Sequence, residues 1–154
     1  MADFSFLDSQ KVQGATSKEL TLHGITMPDG STPILEGIFA GETNTPYWNA
    51  QLKRQGKRLA TTQAAVKAGD INSDLVKQGR EDDRELYPLH VIKGWKNVVD
   101  AKGEAVKFTQ AECAGLFEHL PNETLEVVRG FYGDHINFVG EAMTLEQAAT
   151  QGKD

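Results

Sequence analysis

Arg80-Glu81-Asp82-Asp83-Arg84-Glu85-Leu86-Tyr87-Pro88-Leu89-His90-Val91-Ile92-Lys93-Gly94-Trp95 is the stretch on which the fold turns. Its first half is a run of charge and its second half a run of large apolar side chains. Leu86, then Leu89 or His90, then Ile92 or Lys93 recur at three- and four-residue spacing, which predicts one face of a helix from about Glu81 to Trp95. The acids at its start and Lys93 and Lys96 at its end suit the helix dipole. Pro88 removes a backbone donor and clashes with the preceding turn, so the helix is expected to kink or restart near Tyr87.

Working towards the C-terminus, Val98 and Val99 precede the turn Asp100-Ala101-Lys102-Gly103, and Val106 and Phe108 follow it, as in a short hairpin or a tight link. Thr109-Gln110-Ala111-Glu112 is a capping box, and the helix it opens carries Cys113, Leu116 and Phe117 inward before stopping near Leu120. Pro121 begins or caps the next element, on which Leu125, Val128, Phe131 and Tyr132 continue the core. The expected structural core is therefore Leu86, Ile92, Trp95, Phe108, Leu116, Phe117, Leu125, Val128 and Phe131. Asp134 to Phe138 reads as one more turn, and residues 140–154 as a surface tail.

Working towards the N-terminus, Asp74 to Gln78 reads as a short turn, and Leu59 to Ala68 as an alanine-rich helical piece. Thr45 can cap an earlier helix with Pro46 at its first position, running to about Gln55, where Gly56 interrupts it. Leu20 to Ile25 and Thr32 to Phe39 are strand candidates around the turn Met27-Pro28-Asp29-Gly30-Ser31, together a hairpin that needs other surfaces to hold it. Residues 1–19 read as an extended arm with Phe4, Phe6 and Leu7 as anchors. The expected fold is α+β: an N-terminal arm (1–19), a small β-hairpin (20–40), a mainly helical core domain (45–139) and a C-terminal tail (140–154).

Composition narrows the function classes. The chain has 154 residues, 39% of them hydrophobic, enough for one sizeable core. The net charge of -6 falls entirely on residues 78–154, which argues against a broad nucleic-acid surface in that half. Lys53, Arg54, Lys57, Arg58 and Lys67 form the one basic cluster, with several of them on one side of a helix; a solvated helix face is its first reading, with an acidic protein partner or a nucleic-acid contact as alternatives. No stretch resembles a signal peptide or a membrane span, and the single cysteine, Cys113, forms no intrachain disulfide.

The chemistry-bearing residues form no recognisable constellation. His23, His90, His119 and His135 make neither HxH nor HExxH, and Cys113 has no second cysteine with which to build a zinc site. His90 reads as a buried, hydrogen-bonded side chain near the core face, and Cys113 as a small core hydrophobe. The pairs Asp82 with Asp83 and Glu123 with Glu126 suit first helical turns better than a glycosidase site. No catalytic residue, metal site or cofactor is expected. The interface candidates are Phe4, Phe6, Leu7, Trp48, Lys53, Arg54, Lys57 and Arg58.

The order Leu86-Tyr87, His90-Val91-Ile92-Lys93-Gly94-Trp95, Val98 or Val99 with Asp100 and Gly103, Val106-Lys107-Phe108-Thr109, Leu120-Pro121 and Asp134 to Phe138 resembles a group of small tailed-bacteriophage proteins. These come from the structural and tail-assembly region and are described as tail assembly chaperones or virion-associated proteins. The resemblance implies a non-enzymatic protein that binds other phage structural proteins within an oligomeric assembly, with no cofactor, no membrane and no direct nucleic-acid contact. It implies a place in the virion, assembled in the host cytoplasm, with the chaperone absent from the mature particle as the alternative.

Overall fold

The computed structural model describes the backbone of residues 2–12, 16–67 and 74–139, and the side chains of these outside 59–67 and 74–76. Among these residues, three strands, β1 (Lys18–Thr21), β2 (Ile34–Gly37) and β3 (Ile92–Lys96), form an antiparallel sheet in the order β1-β2-β3. Four α-helices among the described residues accompany it: α1 (Thr45–Lys67), α2 (Asp74–His90), α3 (Gln110–His119) and α4 (Asn122–Tyr132). Single 3-10 turns occupy Ser5–Gln10 and His135–Phe138. The fold is α+β with a mainly helical core, and the hairpin lies in it: Leu22 and Leu35 share one buried cluster with Leu86, Tyr87, Phe117 and Leu125.

The stretch from Arg80 to Trp95 corrects the reading of one continuous helix. Helix α2 starts earlier, at Asp74, and ends at His90, closed by the bond from the Val91 amide to the Tyr87 carbonyl at 3.0 Å. Ile92 and Trp95 lie on a strand instead. The β-branched pair Val91-Ile92 followed by Gly94 disfavours further helix, while β2 offers a partner whose Leu35 pairs with Trp95. Pro88 sits within the last turn of α2, so the one helical hydrogen bond it removes and any kink it causes lie at the very end of the helix. Because α2 begins at Asp74, the acids from Glu81 to Glu85 are mid-helix and serve as ion-pair partners rather than as first-turn charges.

Helix α1 is likewise continuous from Thr45 through Gly56 to Lys67, so Gly56 does not interrupt it. A single glycine costs about 1 kcal/mol in a helix interior, less than ending the helix would forfeit in contacts with α2. Its cap is Asn44 rather than Thr45: the Asn44 side-chain oxygen accepts from the Tyr47 amide at 3.4 Å, and its Nδ2 donates to the His90 carbonyl at 2.8 Å. One side chain thus caps the start of α1 and ties it to the end of α2. Thr109 caps α3 by accepting from the Glu112 amide at 3.0 Å, and Asp100 to Gly103 closes a turn in which Gly103 takes φ +82.

Two features hold the sheet to the helices. The Tyr132 hydroxyl, at the end of α4, donates to the carbonyls of Lys18 (3.0 Å) and Leu35 (3.3 Å), bridging β1 and β2. Gly37 passes directly beneath that ring, where β2 shifts register against β3. On the opposite flank Trp95 donates from Nε1 to the Val106 carbonyl at 2.8 Å and meets Phe108 edge to face, at 5.1 Å between centroids.

Leu86, Ile92, Phe117, Leu125 and Val128 are buried, and Trp95, Phe108, Leu116 and Phe131 pack against them partly exposed. Cys113 is fully buried, and burial pushes its thiol up to about 12 from an ordinary 9.0. All three tyrosines, Tyr47, Tyr87 and Tyr132, are buried, and desolvation foremost raises each well above the ordinary 10.0. These groups keep their protons in the fold to higher pH than in the unfolded chain. Above about pH 9 the unfolded state therefore releases protons that the fold retains, and stability falls as pH rises. The expected result in alkaline titration is phenolate absorbance that appears together with unfolding. A rise near pH 10 with the circular dichroism intact would contradict it.

Candidate functional site

A buried polar cluster lies where α1, α2 and α4 meet. The Asp83 carboxylate, 3% exposed, accepts from the Tyr47 hydroxyl (2.7 Å) and Gln51 Nε2 (2.6 Å) on one oxygen, and from Arg129 Nε (2.7 Å) on the other. Arg129 also reaches Glu126 at 2.9 Å. Burial and the Asp83 charge hold the Tyr47 proton in place, so that hydroxyl is a permanent donor. Both carboxylate oxygens are occupied by the protein itself. The cluster locks three helices in register, and three of the roughly four acceptor positions of the carboxylate are used within the protein.

A second cationic side chain binds backbone. Arg84 donates from one terminal nitrogen to the carbonyls of Phe117 (2.6 Å) and Leu120 (2.8 Å), and from the other to the Asn122 side chain (2.7 Å). It satisfies carbonyls at the C-terminus of α3 and fixes the turn into α4. Neither Asp83 nor Arg84 stands out in the sequence as more than part of a charged run. The usable signal is their alternation with Leu86 and Tyr87, which places Asp83 one turn before Tyr87 on the inward side of α2.

The histidines lie apart. His90 is half-buried, and burial with the nearby Lys93 lowers its pKa; its backbone carbonyl makes the contact with Asn44. His135 stands 3.9 Å from Asp134 on an exposed turn. Among the described residues no group of three or more His, Cys, Asp or Glu side chains is placed to hold a metal ion, and no helix is long and apolar enough to cross a membrane.

The expected contact residues fall into three groups. Phe4 immediately precedes the 3-10 turn of the arm and Phe6 and Leu7 lie on it, with exposures of 64%, 61% and 47%. The arm returns to the body at Val12, which bridges Val139. Trp48 is exposed on α1, with Leu52 one turn later. The basic cluster divides: Lys53 and Lys57 are exposed, whereas Arg54 binds Asp82 and Glu85 and Arg58 binds Asp82, tying α1 to α2. The reading of the cluster as a solvated face is thereby corrected for Arg54 and Arg58; the side chain of Lys67 lies outside the described residues. At i and i+4 two of them face the acids of the neighbouring helix.

A concavity of about 700 Å³ lies between α2 and α3, lined by Glu81, Arg84, Glu85, Leu89, Ala114 and Glu118. Leu89 is exposed there, although its periodicity placed it on the core face. The break at His90 turns the chain so that Val91 and Ile92 take the inward positions. Val127 on α4 and Ile136 on the last turn are also exposed.

Residues 43–130, more than half of the chain, match the family described as the YdaY prophage protein. The chain belongs to that family. No curated protein and no solved structure matches it. The YdaY segment takes in α1, α2, β3, α3 and nearly all of α4, and with them every member of the Asp83 cluster and of the α2–α3 concavity. The apolar arm and the strands β1 and β2 lie outside it, although β2 pairs directly with β3 within it. As a YdaY-family member the chain is a phage-associated protein.

Proposed function

We propose that this protein is a non-enzymatic structural component of the phage particle, in the tail or head–tail region, acting through contacts with other phage structural proteins. The observation that supports this most directly is the arm. Phe4, Phe6 and Leu7 present three large apolar side chains on a turn outside the core, where only another surface can bury them. The polar groups of the interior fit the same reading, because Asp83, Tyr47, Arg129 and Arg84 all serve internal contacts.

The test is quantitative mass spectrometry of purified particles from the parent phage genome. The expected result is this chain at a fixed ratio to the major tail protein. Replacing Phe4, Phe6 and Leu7 together by serine should lower incorporation by about tenfold or more, since buried aromatic anchors dominate interface energetics. The isolated protein should keep its stability to within about 0.5 kcal/mol, because these side chains are exposed in the fold. Reproducible absence from particles, with the chain abundant in the producing cell, would overturn this reading in favour of a tail assembly chaperone.

A further inference from the structure

Two apolar surfaces of the chain are left open by its own fold, and they adjoin. The first is the arm. Its turn is closed by the arm's own backbone, with the Leu7 amide donating to the Phe4 carbonyl at 3.0 Å and the Ser5 amide to the Asp3 carboxylate at 2.9 Å, so Phe4, Phe6 and Leu7 are displayed together on a formed element. The second is a flank of α4. Val127 stands one turn before the partly exposed Phe131, on the same side of the helix and away from Arg129. Asn137 donates from Nδ2 to the Phe131 carbonyl at 2.9 Å, and Phe138 meets the Phe131 ring at 6.2 Å between centroids, which brings the turn that carries Ile136 against the end of α4.

The base of the arm lies beside this flank, because Val12 bridges Val139, three residues after Ile136. The arm nevertheless does not cover it: Phe4 and Phe6 remain as open as Ile136, which is 67% exposed. From Val12 back to Phe4 is eight residues, roughly 16 Å at the rise of a 3-10 turn, long enough to reach across onto a neighbouring molecule.

Area selects the neighbour. At these exposures the three arm side chains offer about 350 Å² and the α4 flank with Ile136 about 250 Å². One arm on one flank therefore buries roughly 600 Å², short of the about 1,000 Å² that a specific interface needs. Two copies related by a twofold axis make the same contact twice, roughly 1,200 Å², and reach it. A foreign surface would take up the arm and leave the flank bare; only a second copy covers both.

We propose that two copies of this chain exchange arms about a twofold axis, with Phe4, Phe6 and Leu7 of each lying on Val127, Phe131 and Ile136 of the other. The contact is isologous and closes at two. This rests on the structural reading above and deepens it, by making a second copy the partner of the arm and the dimer the unit that enters the particle. Its test needs only the purified chain, so it can fail while particle incorporation succeeds, and the reverse.

The experiment is sedimentation of the full chain over a range of concentrations. A monomer–dimer equilibrium that goes no further is expected, with little dependence on salt because the contact is apolar. Replacing Phe4, Phe6 and Leu7 together by serine, and separately Ile136→Asp, should each weaken dimerisation by about 30-fold or more while leaving far-ultraviolet circular dichroism unchanged. Single Phe6→Cys and Ile136→Cys variants, mixed and treated with a short bis-maleimide, should give a one-to-one cross-linked product in preference to either variant alone; Cys113 is buried with its thiol protonated and does not compete. A wild-type chain that stays monomeric would overturn the proposal, as would association that continues past the dimer. So would a loss confined to the serine variant with Ile136→Asp dimerising normally, or a mixture of the cysteine variants that gives no preferred product.

Discussion

Asp83→Ala is expected to lower the free energy of unfolding by about 3–5 kcal/mol, the cost of removing one partner from a buried ion pair. The side chain is 3% exposed and receives three donors, from Tyr47, Gln51 and Arg129, within 2.6 to 2.7 Å. Alanine leaves Arg129 Nε without its carboxylate, with only the half-exposed Glu126 remaining to the guanidinium, and leaves the Tyr47 hydroxyl without its acceptor. For a domain of this size that is a large part of the total stability. Urea unfolding followed by circular dichroism measures it. Asp83→Asn, which keeps an acceptor but removes the charge, should cost less, and replacing Asp83, Tyr47 and Arg129 together by apolar residues of similar volume should cost less than the single alanine. A change of under about 1 kcal/mol for Asp83→Ala would show that the cluster contributes little.

Gly37→Ala should destabilise by about 2–3 kcal/mol, towards the upper range for overpacking a core by one carbon. An added Cβ would stand 2.8 Å from Cε1 of Tyr132 and 2.8 Å from the Val91 carbonyl oxygen. Neither neighbour can give way cheaply. The Tyr132 ring is held by its hydroxyl bonds to Lys18 and Leu35 and stacks edge-on against Phe131 at 4.9 Å. The Val91 carbonyl accepts from the Ile38 amide at 2.9 Å. If the clash with the ring is the cause, the alanine should be less harmful in a Tyr132→Leu background than in the wild type. Equal penalties in both backgrounds would place the strain in the backbone instead.

How far the fold could be read in advance depended on whether its determinants were local. The cap at Thr109, the turn at Asp100 to Gly103, the end of α3 near Leu120 and the final turn at His135–Phe138 are set by neighbours within a few residues, and they lie where the residue types place them. The helix-to-strand switch at His90 was not legible in the same way. Val91, Ile92 and Trp95 satisfy helical spacing and do not alternate as a half-buried strand would, and the choice of strand is made by β2, which lies far away in the sequence. The continuity of α1 through Gly56 has a similar cause, because α2 supplies the contacts that offset a poor helix former. On the candidate site, exposure at Phe4, Phe6 and Leu7 follows from a short segment with little apolar surface around it. The sorting of the basic cluster into paired arginines and exposed lysines follows only from where α2 lies.

Val12 and Val139 are paired across an isolated bridge, so the described chain enters and leaves its folded body at one corner. In engineering terms the domain is close to a closed loop. A label or fusion partner attached through the arm and one attached beyond Val139 would both be delivered to the same neighbourhood. A short covalent link between those two positions would allow new chain ends to be opened elsewhere, with the exposed turn around Ala101 and Lys102 as the natural place to cut.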